Sequence, residues 1–422
     1  MIYTTTFLVP KGIDIERYIF NKINHDVDEP DHILLRWAVV NVKDKYVTVD
    51  ASILENEGNW QPYKEIPFTP NNKFVVVNIV PTGVRAEIGG YIADATPVTN
   101  VLAQIADKVI VHPNVVNGSF INYARDNVLY VEGCHLDDFL QNKITLSEVV
   151  QNKIGVIIDR GAIEADPHSI DMAINTIESL RVIAGITVIG FKITDEPIGG
   201  HALKMPSGAF SGEVKNTDTL IKAAKELITA GATAIAIATH IDIDNIEADL
   251  SEYFKGNLAN PFGGTEALIS HTISKIFRIP VAHAPILPKW EKEYYDSVGV
   301  VDPRASSEVV SPAYLGCILR GLSKSPQVNS NDGIKLSDVK AIIVPYNSCG
   351  GIPMLMSQKY NIPLICVREN KTCLNVTPEL MEFKNYIIAE NYWEAIGIVA
   401  ALKSGINIES LRRPFKSIKQ IF

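Results

Sequence analysis

The chain has 422 residues, 46% hydrophobic and 21% charged, with 48 acidic against 39 basic side chains and a formal net charge of −9. Such a composition excludes a disordered, collagen-like or coiled-coil chain, and an interspersed acidic excess argues against nucleic acid as the main partner. No apolar run reaches the roughly 18 residues of a spanning helix. The opening MIYTTTFLVPKGIDIERY also lacks the basic-then-apolar pattern of a secretion signal, so the expectation is a cytoplasmic protein with no membrane partner. Five cysteines, Cys134, Cys317, Cys349, Cys366 and Cys373, without a CxxC pair, indicate neither a disulfide framework nor a structural zinc site.

Residues 1–70 read as a small α+β module. YTTTFLVP, LLRWAVVNV and KYVTVDASIL have strand-like branched and aromatic content, and residues 13–23 have a helical pattern. The Pro-, Asn- and Gly-rich segment 56–72 is the boundary candidate. Beyond it, short apolar runs alternate with turns and helical stretches: FVVVNIV, KVIVH, NVLYVEG, IGVIID, ITVIGFKI, ATAIAIAT, IPVAHAP, AIIVP and IPLICV. Runs without polar alternation fit strands buried on both faces of a mostly parallel or mixed sheet with flanking helices. The main body, 71–422, is therefore α/β, with two lobes suggested: 71–150 with 330–422, and 151–329.

Two stretches share one design. In the first, Pro81, Gly89-Gly90 and Asn114 mark a strand, a glycine pair and a closing strand. In the second, Pro345, Gly350-Gly351 and Asn370 mark the same features. Two such βαβ units bring their glycine turns to the carboxyl ends of their strands, where open α/β sheets take ligands.

The candidate chemical groups sit at such strand ends. In NSCGG, Asn347, Ser348, Cys349, Gly350 and Gly351 precede a helix, whose N–H groups can hold an anion and lower the Cys349 pKa toward a thiolate nucleophile or base. Thr82 and Gly83 belong to the first glycine-rich turn, which has neither Walker A spacing nor a dinucleotide fingerprint. His283 ends the strand of IPVAHAP and can act as general acid or base. Arg304 of DPR offers a fork for a carboxylate. Glu266, on the helix announced by GGTEALISH, can orient His283 or bind substrate. His112 and Asn114 of HPNVVNGS can orient a polar ligand, as can Asn117 and Ser119. His135, Asp137 and Asp138 read as a solvated helix start, and His271 as packing. Residues 194–212 read as a lid that carries Lys204 and Ser207, themselves a candidate nucleophile–base pair. The alternating His240, Asp242 and Asp244 of ATHIDID lack a further ligand, so no metal site is expected.

The succession VPTGVRAEIGGYIADATPV, HPNVVNGS, NVLYVEG, GGTEALISH, IPVAHAP, DPRASSEV and VPYNSCGGIP resembles an uncharacterised bacterial family, domain of unknown function 3326, over about residues 75–400. The resemblance implies a shared fold and pocket more than a reaction. With the residues above, the expectation is an isomerase- or lyase-type enzyme that acts by acid/base chemistry on a small carboxylate- or phosphate-bearing metabolite. A Cys- or Ser/Lys-dependent hydrolase of an amide or lactam, and a non-catalytic anion- or nucleotide-binding protein, are the alternatives. The cofactor is unknown, with no metal or dinucleotide motif, and a homodimer is possible.

Overall fold

The computed structural model describes residues 1–24, 32–55, 66, 73–91, 94–116, 124–310, 314–329, 332–415 and 417–420, without the side chains of 289–292. The candidate boundary 56–72 lies outside them except for Ile66.

Three sheets organise the described residues. The first has six strands in the order 241–242, Gly200–Lys204, Phe210–Val214, Ile2–Pro10, Tyr46–Glu55 and His32–Val42, antiparallel except for its first pair. The N-terminal strands form as their composition demands, and Asp14 caps the intervening helix Ile15–Ile23 by accepting from the Arg17 N–H. Their sheet does not end with them, because Ile2 pairs with Val214.

The other two large sheets are all parallel. One runs Val281–Pro285, Ala234–Thr239, Ile154–Ile158 and Val188–Ile193. The other runs Tyr386–Ala389, Leu364–Val367, Val339–Pro345, Val75–Asn78, Lys108–Val111 and Val128–Tyr130. Every residue of Ile154–Ile158, Ala234–Thr239, Val75–Asn78 and Leu364–Val367 is buried, as expected of strands covered by helices on both faces. A two-stranded ribbon, Thr145–Ser147 with Gln327–Asn329, completes the strands. The fold is thus α/β, and among the described residues no sheet closes into a barrel.

The segment 194–212 is not a lid. Its Gly200–Lys204 and Phe210–Val214 pair antiparallel, Leu203 opposite Ser211, and dock on Ile2–Pro10. The alternation of HALK and FSGEV carries this hairpin, while the surrounding Gly and Pro residues give it the look of a loop.

One helix ties the layers together. Gly263–Phe277 packs on Phe210–Val214, on Val281–Pro285 and on the helix Gly133–Leu140. It is buried on most sides, and each fully buried aliphatic side chain such as Ile269 or Ile273 contributes about 1.5–3 kcal/mol over an exposed one.

Candidate functional site

Where the first sheet, the long parallel sheet and the Gly263–Phe277 helix meet, a cavity of about 180 Å³ opens. Strand ends supply its polar wall. Thr82 follows Val75–Asn78, His112 and Asn114 follow Lys108–Val111, Glu132 follows Val128–Tyr130, and Gly351 follows Val339–Pro345. The helix adds Glu266, Ser270 and His271, and Arg36 arrives from His32–Val42.

Two histidine–carboxylate pairs line this space. Glu266 Oε1 lies 3.3 Å from His283 Nδ1, although off the line of a hydrogen bond, and His283 Nε2 meets the Thr239 hydroxyl. The His283 side chain is 1% exposed and that of Glu266 23%. Both line the cavity, the carboxylate as the more exposed group and the imidazole almost wholly buried. In the second pair, His271 Nε2 and Glu132 Oε1 are 2.8 Å apart and both side chains are buried. Glu132 caps the helix Gly133–Leu140, accepting from Cys134 N at 2.8 Å, and receives the Ser270 hydroxyl at 3.3 Å. Burial pushes its carboxyl up, but His271, then His135 and the Cys134 donor, outweigh burial and bring it down to about 2. Glycine at 133 makes room for the pair, since a Cβ there would stand 2.8 Å from His271 Nε2.

Arg36 supplies the site's cation. Its guanidinium makes no hydrogen bond or ion pair among the described residues. Three neighbours feel its charge, the first being Asp50, whose carboxyl burial pushes up against the Thr6 hydrogen bond and the pull of Arg36. Burial first, and then Arg36, hold the His112 imidazole down to about 4, while Val80 N–H donates to His112 Nε2 at 3.3 Å. Burial pushes the Asp137 carboxyl up to about 7 against the pull of Arg36 and His271.

His283, Glu266, Thr82, His112, Asn114 and Gly351 of the sequence candidates line the cavity. The amide of Asn114 is already committed, donating to the carbonyls of Val80 and Gly89 at 3.0 and 2.7 Å. The remaining candidates lie off the cavity wall. Asn347 donates to the carbonyls of Thr372 and Leu374 at 3.0 and 2.7 Å, and the Ser348 hydroxyl meets that of Thr372 at 2.9 Å, so both brace a neighbouring loop. Gly350 O accepts from Val39 N at 3.0 Å, and a Cβ at 350 would lie 2.0 Å from Val39 O. Gly83 O accepts from Phe210 N at 2.8 Å. Asn117 and Ser119 are outside the described residues.

Arg304 is a structural clamp. Its Nε meets Asp302 Oδ1 and its NH1 meets Glu87 Oε2, each at 2.9 Å, and the guanidinium stacks 4.6 Å from the Tyr91 ring centroid. The fork expected to hold a ligand is filled by protein carboxylates, because the Asp-Pro-Arg spacing folds Asp302 back on it.

Cys349 is also corrected. Its thiol is fully buried, donates to Tyr346 O at 3.5 Å and lies 3.8 Å from the Cys366 sulfur. The adjoining thiol and burial push its pKa up rather than down. The helix begins only at Ile352, so its N-terminal field does not offset them. Lys204 and Ser207 belong to the hairpin: Lys204 is exposed, its ammonium 5.9 Å from the Phe210 ring centroid, and Ser207 Oγ accepts from Ala209 N at 3.4 Å. They form no pair with each other.

Four groups escaped the sequence reading. Arg36 is a lone charge inside an apolar strand, which is itself a usable signal. Glu132 directly follows the strand of NVLYV and is assigned no role by the sequence, while Asp137 and His271 are polar residues within helices that read as solvated and as packing. His135 and Asp138 are likewise buried rather than solvated, and Lys275 Nζ reaches Asp138 Oδ1 at 3.0 Å.

Comparison with known proteins adds kinship but no chemistry. The profile of a family described as protein of unknown function (DUF3326) matches residues 75–412. A protein of Synechococcus sp. named an uncharacterized lipoprotein is 33% identical over 340 residues, which cover 79% of this chain and 92% of that one. No helix among the described residues is long and apolar enough to cross a membrane.

Proposed function

The chain belongs to the DUF3326 family, and we propose that it is an enzyme that moves a proton on a small carboxylate- or phosphate-bearing metabolite, an isomerase or a lyase. One observation carries this reading: an Arg36 with no hydrogen-bond or ion-pair partner among the described residues and a partly exposed Glu266, next to His283, line the same small space. Arg36 grips the anion through two parallel charge-assisted bonds. Glu266 accepts and returns the proton, and His283 fixes the carboxylate that does so. A space of about 180 Å³ is below the ~300–1,000 Å³ of pockets for drug-sized ligands, which suits a small metabolite.

The hydrolase alternative loses its nucleophiles, since neither Cys349 nor Ser207 lines the cavity. An anion-binding protein that does no chemistry is the second reading, and Arg36 alone would serve it. The Glu266–His283 pair favours the enzyme, because a binder of anions gains nothing from a carboxylate turned toward its ligand. We place the chain in the cytoplasm on the strength of its five free cysteines, although its Synechococcus relative bears the name lipoprotein.

Proton NMR in heavy water tests the proposal. A panel of small carboxylic and phosphorylated acids is incubated with the full chain and followed for exchange of carbon-bound hydrogen. The expected result is exchange on at least one acid, lost in Glu266→Gln. Acids that bind through Arg36 without any exchange would select the binding-protein reading.

A further inference from the structure

We infer that the anion taken by Arg36 is a 2-oxo acid, whose oxo oxygen is received by the Nδ1–H of His112. This rests on the proton-transfer reading above and names its substrate class and its electrophile.

The tautomer of His112 is set by the backbone. Val80 N–H donates to Nε2, so this nitrogen carries a lone pair, and an imidazole with one proton must hold it on Nδ1. The ring keeps one proton because it is buried beside the positive Arg36. Among the described residues Nδ1 has no partner, yet it is not one of the solvent-sealed orphans, and His112 lines the cavity. A neutral N–H fixed in place and open to the ligand is a donor for an oxygen on which charge develops.

The neighbours assign that oxygen. Arg36 takes the carboxylate, and because Arg36 and His112 line the same small cavity, a carboxylate with an adjacent oxo group, as in a 2-oxo acid, can meet both. Glu266 then accepts a proton from the carbon beyond the oxo carbon. The C–H electron pair becomes the C=C bond, the C=O π pair moves to oxygen, and the resulting enolate is held by the Nδ1–H. Return of a proton from the Glu266 carboxylic acid to carbon closes the cycle, with no other reactant.

Oxalate, a planar mimic of the enolate, and acetate, which lacks the second oxygen pair, are the probes. In the full-length protein labelled with nitrogen-15 at histidine, His112 should show a protonated Nδ1 and a bare Nε2 at neutral pH, and oxalate but not acetate should move the Nδ1 resonance. By calorimetry the wild type should bind oxalate about tenfold more tightly than acetate, the scale of one hydrogen bond to a charged group. His112→Phe should erase that preference and keep acetate binding, while Arg36→Met should weaken both. A protonated Nε2, or no oxalate preference in the wild type, overturns the inference even where the variant does not fold. Loss of both anions in Arg36→Met with oxalate preference intact in His112→Phe overturns the role of His112 and leaves the anion site standing. Unchanged binding of both anions in Arg36→Met overturns the anion site itself.

Discussion

Glu266 and His283 stand 3.3 Å apart on the wall of one cavity, with the imidazole almost wholly buried and the carboxylate partly exposed. That asymmetry divides their work. In the proposed reaction Glu266 is the group that touches the reacting carbon, and His283, whose Nε2 meets the Thr239 hydroxyl, positions it.

Replacing the two should therefore give different kinetics. Glu266→Gln should reduce hydrogen exchange by about 10²–10⁴-fold, the usual scale for losing a general base. His283→Asn should slow exchange less and shift its pH profile, because the carboxylate loses its partner but not its place. Equal losses with unchanged pH profiles would contradict the division.

The two arginines separate binding from stability. Arg36, without a hydrogen-bond or ion-pair partner among the described residues, should be replaceable by Met with little change in melting temperature, at a cost of roughly 2–5 kcal/mol in anion affinity. Arg304 clamps Asp302 and Glu87 over the Tyr91 ring, so Arg304→Ala should destabilise the fold by about 1–3 kcal/mol in urea unfolding and leave acetate affinity in place.

The buried pair Cys349 and Cys366 should resist iodoacetamide at neutral pH. Both thiols are fully buried, and Cys349 is held in its protonated form. The half-buried Cys373 should label before them, as peptide mass spectrometry can show. Rapid native labelling of Cys349 would reinstate it as a reactive thiol.

Asp137 makes stability depend on pH in a stated direction. Its carboxyl rises from 3.8 to about 7 on folding, so the folded state binds the extra proton between those values. Its ionisation therefore costs stability as pH rises from about 4 to 7, and the cost is complete above 7. Asp137→Asn should stabilise the protein at pH 8 by roughly 1–3 kcal/mol and have little effect near pH 4. Urea midpoints at the two pH values check this, and a larger gain at pH 4 would refute the cause.

Much of the scaffold was legible because buried parallel strands announce themselves by unbroken apolar runs. All nine runs named from the sequence form strands. The two glycine turns also follow strands that are hydrogen-bonded neighbours, Ile343 opposite Asn78, and Gly90 and Gly351 both reach the cavity. What stayed hidden depends on partners far along the chain. Asp138 is buried only because Lys275, 137 positions away, neutralises it, and nothing near FLQNK reports that. The Asp-Pro-Arg motif misled for the opposite reason: its own aspartate satisfies the arginine locally. Arg36 was visible as a misfit in an apolar strand, but its meaning needed the His112 and Gly351 loops brought beside it by tertiary structure.

The pairing of Ile2 with Val214 also dictates a timetable for synthesis. The strands through Glu55 leave the ribosome with the outer edge of Ile2–Pro10 bare, and its partner Phe210–Val214 emerges ~160 residues later, about 10–30 s at ordinary elongation rates. During that interval a nascent chain carries an open β-edge, the kind of surface that invites pairing between neighbouring polysomes. Three of the first strand's residues, Thr4, Thr5 and Thr6, are threonines, so the waiting edge is hydroxyl-rich rather than greasy, and Thr4 is later claimed by the Ser211 hydroxyl at 2.8 Å.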